Sequence, residues 1–317
     1  MKNGVLIFNP VAGGGKRVPE LRAIAERAKT RGLFLREAPT TGPGSATEIA
    51  RRMLPERPDV VVVAGGDTTM AEVAAALIGT EVPLALLPIG TTSVVAREYG
   101  VGPGLDVAER HLLSAGRRSL AVFPAAGRPS ILCAGVGFDA RVMTHFPPLL
   151  KKLLGRIGYA WTSTNEWLTY EFPRLEIEGV DAEGAAFRRE ATFLVAANTK
   201  RYAGNPILSP HADPEDDLLD VVLFTSASRV TLFRFYQLLS RKKAGQLSLP
   251  GVVRFPAREF RVRSLAGYEV EVQVDGEGCG TTPLAVGPML GRVSVVVPEE
   301  MAPLSSSGSG SRARPGS

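Results

Sequence analysis

Three short runs of uninterrupted apolar residues, VLIF at 5–8, VVVVA at 60–64 and LALLP at 84–88, constrain the first third of this chain more than any other feature. A strand with one wet face alternates apolar and polar residues, whereas a run with no polar break has to be covered on both faces. Stretches with helical spacing separate the runs, at about 17–31, 44–54 and 69–78. Strand, helix and strand repeated in this way predict βαβ units with right-handed crossovers, and so a parallel, doubly wound sheet. Ligands of such sheets sit beyond the carboxyl ends of the strands. All three glycine-bearing turns of this region fall there.

The first turn, NPVAGGGK (9–16), lets backbone N–H groups approach an anion closely, and the helix that follows adds a favourable dipole. It has neither the GxxxxGK[ST] nor the GxGxxG spacing, and a plain tight turn explains it as well. The second, AGGDTTMAEV (64–73), places Asp67 beside the position of a phosphate, which makes sense only if a metal ion stands between the two anions. Thr69 reads as a helix cap, with Glu72 completing a capping box. In the third, PIGTTSVVARE (88–98), Thr91 is placed to donate its hydroxyl into the same cleft, and Thr92 or Ser93 to cap the next helix. Three anion-friendly turns on one side of one sheet say more than any one of them.

After about residue 120 the pattern changes. Segments 129–136, 172–179, 187–196, 219–225, 258–263, 268–275 and 292–297 read as strands, many of them alternating, with helices expected only near 148–170 and 229–243. This predicts a second domain of antiparallel strands. The serine- and glycine-rich stretch 305–317 is expected to be disordered.

Composition narrows the chemistry. With 44% hydrophobic and 22% charged residues, the 317-residue chain reads as a folded soluble protein. Cys133 and Cys279 have no metal-ligand spacing and form no disulfide framework, so a reducing, cytoplasmic setting is expected. Three histidines, His111, His145 and His211, argue against a histidine-based centre. No apolar stretch reaches the roughly 18 residues of a membrane span, and the first apolar run is too short for a signal peptide. A net charge of +5 favours anionic partners without choosing among nucleotide, nucleic acid and anionic lipid.

Three acidic motifs lie in the second half. AGVGFDA (134–140) carries Asp139, as a turn residue or as an acid facing the cleft. In VQVDGEGCGTTP (272–283), Asp275-Gly276 is a hairpin signal, and Asp275 with Glu277 is equally a carboxylate pair of which one member acts as general base. SPHADPEDDLLDVVL (209–223) gathers Asp213, Glu215, Asp216, Asp217 and Asp220, which suits Mg²⁺ or Ca²⁺ as well as a solvated loop.

Taken in order, NPVAG, TTGPGSATEIA, GGDTTMAEV, LLPIGTTSVVARE, AGVGFDA, YAGNPILSPHADPEDDLLDVVLF and VDGE resemble the diacylglycerol kinase catalytic-domain family, the soluble bacterial lipid kinases related to sphingosine and ceramide kinases. The resemblance spans about residues 3–299. It implies an α/β domain of the phosphofructokinase and NAD-kinase type at 1–120, a β-sandwich lipid-substrate domain at 121–287, a strand at about 288–299 returning to the first domain, and a tail at 300–317. It implies ATP and Mg²⁺ as cofactors, and transfer of the γ-phosphate to a hydroxyl of a diacylglycerol-like or sphingoid lipid at a membrane surface. Nucleic acid is not implied, and oligomeric state is left unspecified. By matched positions, Asn9, Pro10, Val11, Ala12, Gly13, Thr40, Gly66, Asp67, Thr68, Thr69, Met70, Ala71, Glu72 and Thr91 would form the nucleotide site. Glu277 would be the base, Asp67, Asp139 and Asp275 would organise the catalytic Mg²⁺, and Asp213, Asp216 and the Leu218 backbone would hold a structural Mg²⁺. Candidate membrane-docking elements are Lys151, Lys152 and Arg156 beside Leu149, Leu150, Leu153 and Leu154, and Arg241-Lys242-Lys243.

The chain departs from the family at three places. GGDGT has become GGDTT; a Thr68 forced to positive φ would cost on the order of 1–3 kcal/mol. Ser93 stands for an asparagine, and Asp217 for a glycine in the acidic loop. Two further readings therefore stand beside the lipid kinase: a member that binds lipid or nucleotide without turnover, and a kinase of a soluble hydroxylated molecule such as NAD.

Overall fold

The computed structural model describes residues 2–90, 92–102, 104–146, 161–241 and 245–302. Thr91, the segment 149–156, Lys242, Lys243 and the stretch 305–317 lie outside them. In the first half β1 (Lys2–Phe8), α1 (Val18–Thr30), β2 (Leu33–Pro39), α2 (Ser45–Met53), β3 (Val60–Gly65), α3 (Asp67–Leu77) and β4 (Leu84–Pro88) alternate, followed by the short helices α4 (Val94–Glu98) and α5 (Leu105–His111). β1 pairs in parallel with β2 and β3, and β3 with β4. Every residue of β3 and β4 is buried, as their unbroken apolar runs require. Helix α1 lies on the sheet through Leu21, Ile24, Ala25 and Ala28, one buried stripe at helical spacing. The apolar-run criterion misses β2. It is the edge strand, and its sequence LFLREAP alternates largely between buried and exposed positions.

The second half contains β5 (Arg117–Ala125), β6 (Arg128–Ser130), β7 (Cys133–Val136), α6 (Phe138–His145), a helix through 161–169 (α7), β8 (Leu175–Asp181), β9 (Ala186–Ala191), β10 (Phe193–Ala197), β11 (Leu219–Phe224), α8 (Arg229–Ser240), β12 (Val252–Ser264), β13 (Glu271–Val274), β14 (Glu277–Thr281), β15 (Leu284–Val286) and β16 (Gly291–Val296). Strands β14, β13, β7, β10, β11 and β12 follow one another in antiparallel pairs. β16 returns to the first sheet, parallel to β4 on one side and antiparallel to β5 on the other. β5, whose apolar run LAVF (120–123) is of the same kind as VLIF but falls where the pattern of the chain changes, serves both sheets, pairing with β16 along its length and with β15 at its end. β12 is twice the length expected at 258–263 because it pairs with β11, β8 and β15 in turn.

One strand shows how two cores are built from a period of two. Leu219, Val221 and Leu223 of β11 enter a core shared with Val262 and Val272, while Val222 and Phe224 face an aromatic layer beneath α8. In that layer Phe224 stacks on Phe193 at 4.9 Å and meets Phe235 edge-on at 5.9 Å.

Candidate active site

The three glycine-bearing turns meet. The Asn9 N–H donates to the Ala64 carbonyl, and the N–H groups of Ile89 and Gly90 donate to that of Gly65. A Cβ at Gly13 would lie 2.9 Å from the Ile89 carbonyl oxygen, and one at Gly90 would lie 2.8 Å from the Gly66 Cα. Side chains are excluded at these two contacts by the closeness of the backbones. Gly13, at φ 60°, also has a conformation that suits glycine. The Asn9 side chain accepts from the Val11 N–H at 3.1 Å and fixes the entry to the first turn. A Cβ at Gly66 would meet nothing within 4 Å, so the start of α3 is open on that side. Backbone donors, a helix N-terminus and open space beside them make a cradle suited to phosphate oxygens. Pro10, Val11 and Ala12 lie in the first turn; Met70 and Ala71 are fully buried, and the Met70 N–H already donates to the Gly66 carbonyl at 3.1 Å.

Thr68 does not carry the strain that a positive φ would impose. It is the second residue of α3 and is not among the residues with left-handed backbone. The non-glycine residue with left-handed backbone at these turns is Ser93, at φ 44° and ψ 58°, which opens α4. Thr69 is not the cap of α3 either. Gly66 holds the N-cap position in extended conformation, and Thr69 sits so close to Gly65 that a Cβ there would be 2.6 Å away. Nor does Glu72 close a capping box. Its carboxylate accepts from the Gly44 N–H at 2.7 Å and the Ala46 N–H at 3.1 Å, so it caps α2 instead. Thr40 is buried at the end of β2, its N–H donating to the Phe8 carbonyl at 2.8 Å.

The acids are more fully occupied than their motifs suggest. Asp67, buried at the start of α3, reaches across to α4 and accepts from the Val94 N–H at 3.0 Å and the Val95 N–H at 3.1 Å. Burial raises its pKa, while these two bonds and the Thr92 hydroxyl act in the other direction. Asp275 is buried and accepts four bonds from one loop. The Ser130 hydroxyl (2.6 Å) and the N–H groups of Leu132 and Cys133 (3.0 Å each) bond to Oδ1, and the Ile131 N–H (3.2 Å) to Oδ2. Asp139, the second residue of α6, accepts from the Tyr202 hydroxyl at Oδ1, and its buried Oδ2 has no hydrogen bond. The Gln273 side chain nevertheless lies near enough to favour its ionised form. Burial pushes both Asp139 and Asp275 up to about 6. All three acids act electrostatically on the buried Cys133 thiol, whose pKa is raised chiefly by its own burial.

Glu277 stands apart. Asp275 and Gly276, both at positive φ, form the two-residue turn joining β13 to β14, so the hairpin reading of this motif is realised. Glu277 is the first residue beyond the turn and is exposed, its Oε2 3.9 Å from Nη1 of Arg128. Arg128 sits on β6, which packs against α3. Arg128 and Tyr202 gave no signal in advance. Arg128 falls in an ordinary turn, and Tyr202 lies in the YAGNP stretch without any spacing that ties it to Asp139.

The fit of a divalent cation differs between its two expected places. Asp275 and Asp67 have their oxygens committed to protein donors, so neither offers a ready ligand; of the three acids proposed to organise a catalytic Mg²⁺, only Asp139 keeps an oxygen without a bond. Among the described residues no three His, Cys, Asp or Glu side chains come together as a metal-binding group. The acidic loop suits a cation better. Glu215 pairs with Arg118, Asp217 with Arg292 and Asp220 with Arg254, which leaves Asp213 and Asp216 without a basic partner among the described residues. Asp213 accepts from the Glu215 N–H, and Asp216 from the Leu218 N–H at 2.9 Å. Burial, then repulsion from Asp213, Asp220 and Asp217, raises the Asp216 pKa. A cation at Asp213, Asp216 and the Leu218 carbonyl would relieve that repulsion.

Two family models match the chain: the diacylglycerol kinase catalytic domain over residues 3–125, and the YegS C-terminal NAD kinase beta sandwich-like domain over residues 133–302. A diacylglycerol kinase of Bacillus subtilis is 25% identical over 306 residues, covering 95% of this chain and 98% of its own. A probable YegS-like lipid kinase of Pseudomonas fluorescens is 26% identical, covering 89% of this chain and 91% of its own. Among solved structures, a diacylglycerol kinase of Bacillus anthracis matches with a TM-score of 0.67 at 18% identity, over 95% of this chain and 98% of that one. That likeness speaks to the fold.

Proposed function

We propose that this chain, which belongs to the diacylglycerol kinase catalytic-domain family, transfers the γ-phosphate of ATP to a lipid hydroxyl. The observation that carries the reading is the meeting of the three glycine-bearing turns at the start of α3; Glu277 is linked to the same helix through Arg128 of β6, which packs against α3. Phosphoryl transfer asks a protein for positioning and charge stabilisation more than for covalent chemistry, and fixed backbone N–H groups supply both without reorganising.

Glu277 is the site carboxylate whose oxygens are not committed, and it takes the proton of the acceptor hydroxyl as that oxygen attacks the γ-phosphorus. The bond from phosphorus to the bridging oxygen of ADP breaks as the new one forms. Arg128 orients the Glu277 carboxylate, and Asp275 fixes the hairpin that carries it. Asp67 holds α4 in place behind the third turn. A divalent cation bound with the nucleotide would supply charge neutralisation on its phosphates; the residues that would hold a second, structural one are Asp213, Asp216 and the Leu218 backbone.

The commitment of Asp67 and Asp275 to protein donors favours a second reading, a binding protein without turnover. One experiment separates the two: transfer of labelled γ-phosphate from MgATP to diacylglycerol, monoacylglycerol, phosphatidylglycerol, sphingosine and ceramide in mixed micelles. A labelled lipid supports the kinase and names its acceptor class. ATP binding with no labelled lipid supports the binding protein.

A further inference from the structure

We infer that Gln273 is a positioning residue for the transfer: its buried amide ties Asp139 of α6 to the turn that presents Glu277. The inference rests on the lipid-kinase reading for its purpose, though not for its geometry. Gln273 is the third residue of β13 and has no solvent exposure. Its neighbours Val272 and Val274 enter the core shared with β11. The period of two therefore turns the Gln273 side chain to the opposite face, where the Cys133 thiol lies 3.6 Å from Nε2. A fully buried glutamine is costly unless both ends of its amide are engaged. Here each end meets a different part of the site.

The oxygen end holds the turn. Gln273 Oε1 accepts from the Gly276 N–H at 2.9 Å. The Asp275 N–H, which donates to the Cys133 carbonyl at 2.8 Å, holds the same turn to β7. The nitrogen end faces the acid. Gln273 and Gly135 are direct partners across β13 and β7. A Cβ at Gly135 would lie 2.8 Å from Gln273 Nε2 and 3.3 Å from Asp139 Oδ2. Gly135 is not among the glycines with left-handed backbone, so its missing side chain serves space rather than conformation. Amide and carboxylate flank the point that a Cβ would occupy. The amide cannot be reversed, because its NH₂ would then oppose the Gly276 N–H. Burial raises the Asp139 pKa, and the Tyr202 hydroxyl and the Gln273 amide act against it. Tyr202 takes Oδ1, which leaves Oδ2 to the side of Gln273. Helix α6 meets the hairpin a second time: a Cβ at Gly278 would lie 2.7 Å from the Thr144 hydroxyl. Glu277 stands between Gly276 and Gly278, so its place is set by contacts that it does not itself make.

The test is a double-mutant cycle of Gln273→Met with Glu277→Gln, read by single-turnover transfer of labelled phosphate from MgATP to lipid in mixed micelles. Methionine is flexible enough to fill the space and has no amide. Gln273→Met alone should slow transfer about 10- to 100-fold, the order expected of a small misplacement at a reacting group, with ATP affinity unchanged. In the Glu277→Gln background the same change should alter the remaining rate by less than about twofold, because a residue that acts through Glu277 then has nothing left to position. An unchanged rate in Gln273→Met, or equal losses in both backgrounds, would overturn the inference; a residue that only stabilises the fold slows transfer whichever side chain stands at position 277. Hydrogen exchange reads the hold without the reaction. Peptides covering 272–281 should exchange faster in Gln273→Met while those of β3 and α3 do not, and unaltered exchange would equally overturn the inference. If thermal melts show that Gln273→Met does not fold, Gly135→Ala takes its place in the cycle. Its Cβ displaces the Gln273 amide with both polar partners still present, and the same pattern is expected. A wild type that transfers nothing, with faster hairpin exchange in the variant, sinks the kinase reading while the tie to the hairpin stands; wild-type transfer with equal losses in both backgrounds does the reverse.

Discussion

Replacing Asp275 by asparagine and by alanine separates two roles that one motif leaves open. If Asp275 is a metal ligand, both variants abolish transfer. If it is the clamp seen here, they differ in a way that can be worked from its bonds. Alanine leaves one hydroxyl and three backbone N–H groups buried without an acceptor. At about 1 kcal/mol for each lost bond, this costs roughly 4 kcal/mol of stability, near the upper end for single substitutions. Asparagine keeps an oxygen where three of the four bonds converge, at Oδ1, and sets an NH₂ group against the Ile131 N–H at the other. Its cost should be about 1–2 kcal/mol. Urea unfolding at pH 7.5 measures both values, and labelled phosphate transfer under conditions where each variant is folded measures the consequence. Asp275→Asn should retain most of the wild-type rate, since the hairpin still presents Glu277. An asparagine variant as stable as expected but without transfer would refute the clamp and return Asp275 to the metal.

Three further outcomes follow from the same geometry. Asp139 and Asp275 titrate near 6 when folded, well above an ordinary aspartate, so each binds its proton more tightly in the folded state. The stability this provides is complete below about pH 4 and is lost as the pH climbs through about 6. In EDTA, the unfolding free energy of wild type relative to Asp139→Asn should therefore fall by roughly 3 kcal/mol between pH 4 and pH 7, and a difference independent of pH would contradict the burial argument. Thr68→Gly relieves no strain, because Thr68 is already helical. It should cost only about 0.3 kcal/mol of stability in urea, since threonine is itself a poor helix former, and leave the transfer rate without a gain; a large gain would mean that the threonine side chain crowds the phosphate. Ser93→Asn sets the readier left-handed backbone of asparagine against a larger amide at a buried position, 3% exposed, so the unfolding free energy should change by no more than about 1 kcal/mol. A larger loss in urea unfolding for this variant would show that the Ser93 hydroxyl, 3.3 Å from the Gly90 carbonyl, matters more than the backbone.

What could be read from the chain in advance divides along physical lines. The strands of the parallel sheet were legible wherever they are covered on both faces, and the glycine turns wherever backbones approach. β2 was not, because an edge strand lacks the unbroken apolar run; β5 carries one, LAVF at 120–123, but lies where the pattern of the chain changes from the first sheet to the second. The acids divide in the same way. Asp67, Asp139, Asp275 and Glu277 were visible as residues, but their partners are set by tertiary contact. Asp67 meets the amides of Val94 and Val95, 27 and 28 residues away. Asp275 meets a loop more than 140 residues away. No local spacing could announce that Glu72 caps α2 rather than its own helix, or that the strained residue is Ser93 rather than Thr68.

The central claim is that Glu277, held on the β13–β14 hairpin, is the base of a phosphate transfer fed by the glycine turns. Single-turnover transfer from labelled MgATP to the best lipid acceptor, compared between wild type and Glu277→Gln, tests it most directly, with ATP affinity measured alongside. The account predicts a loss of about 10²–10⁴-fold in rate with ATP affinity unchanged, since Glu277 is exposed and takes no part in the turns. A variant that transfers phosphate at the wild-type rate would contradict it.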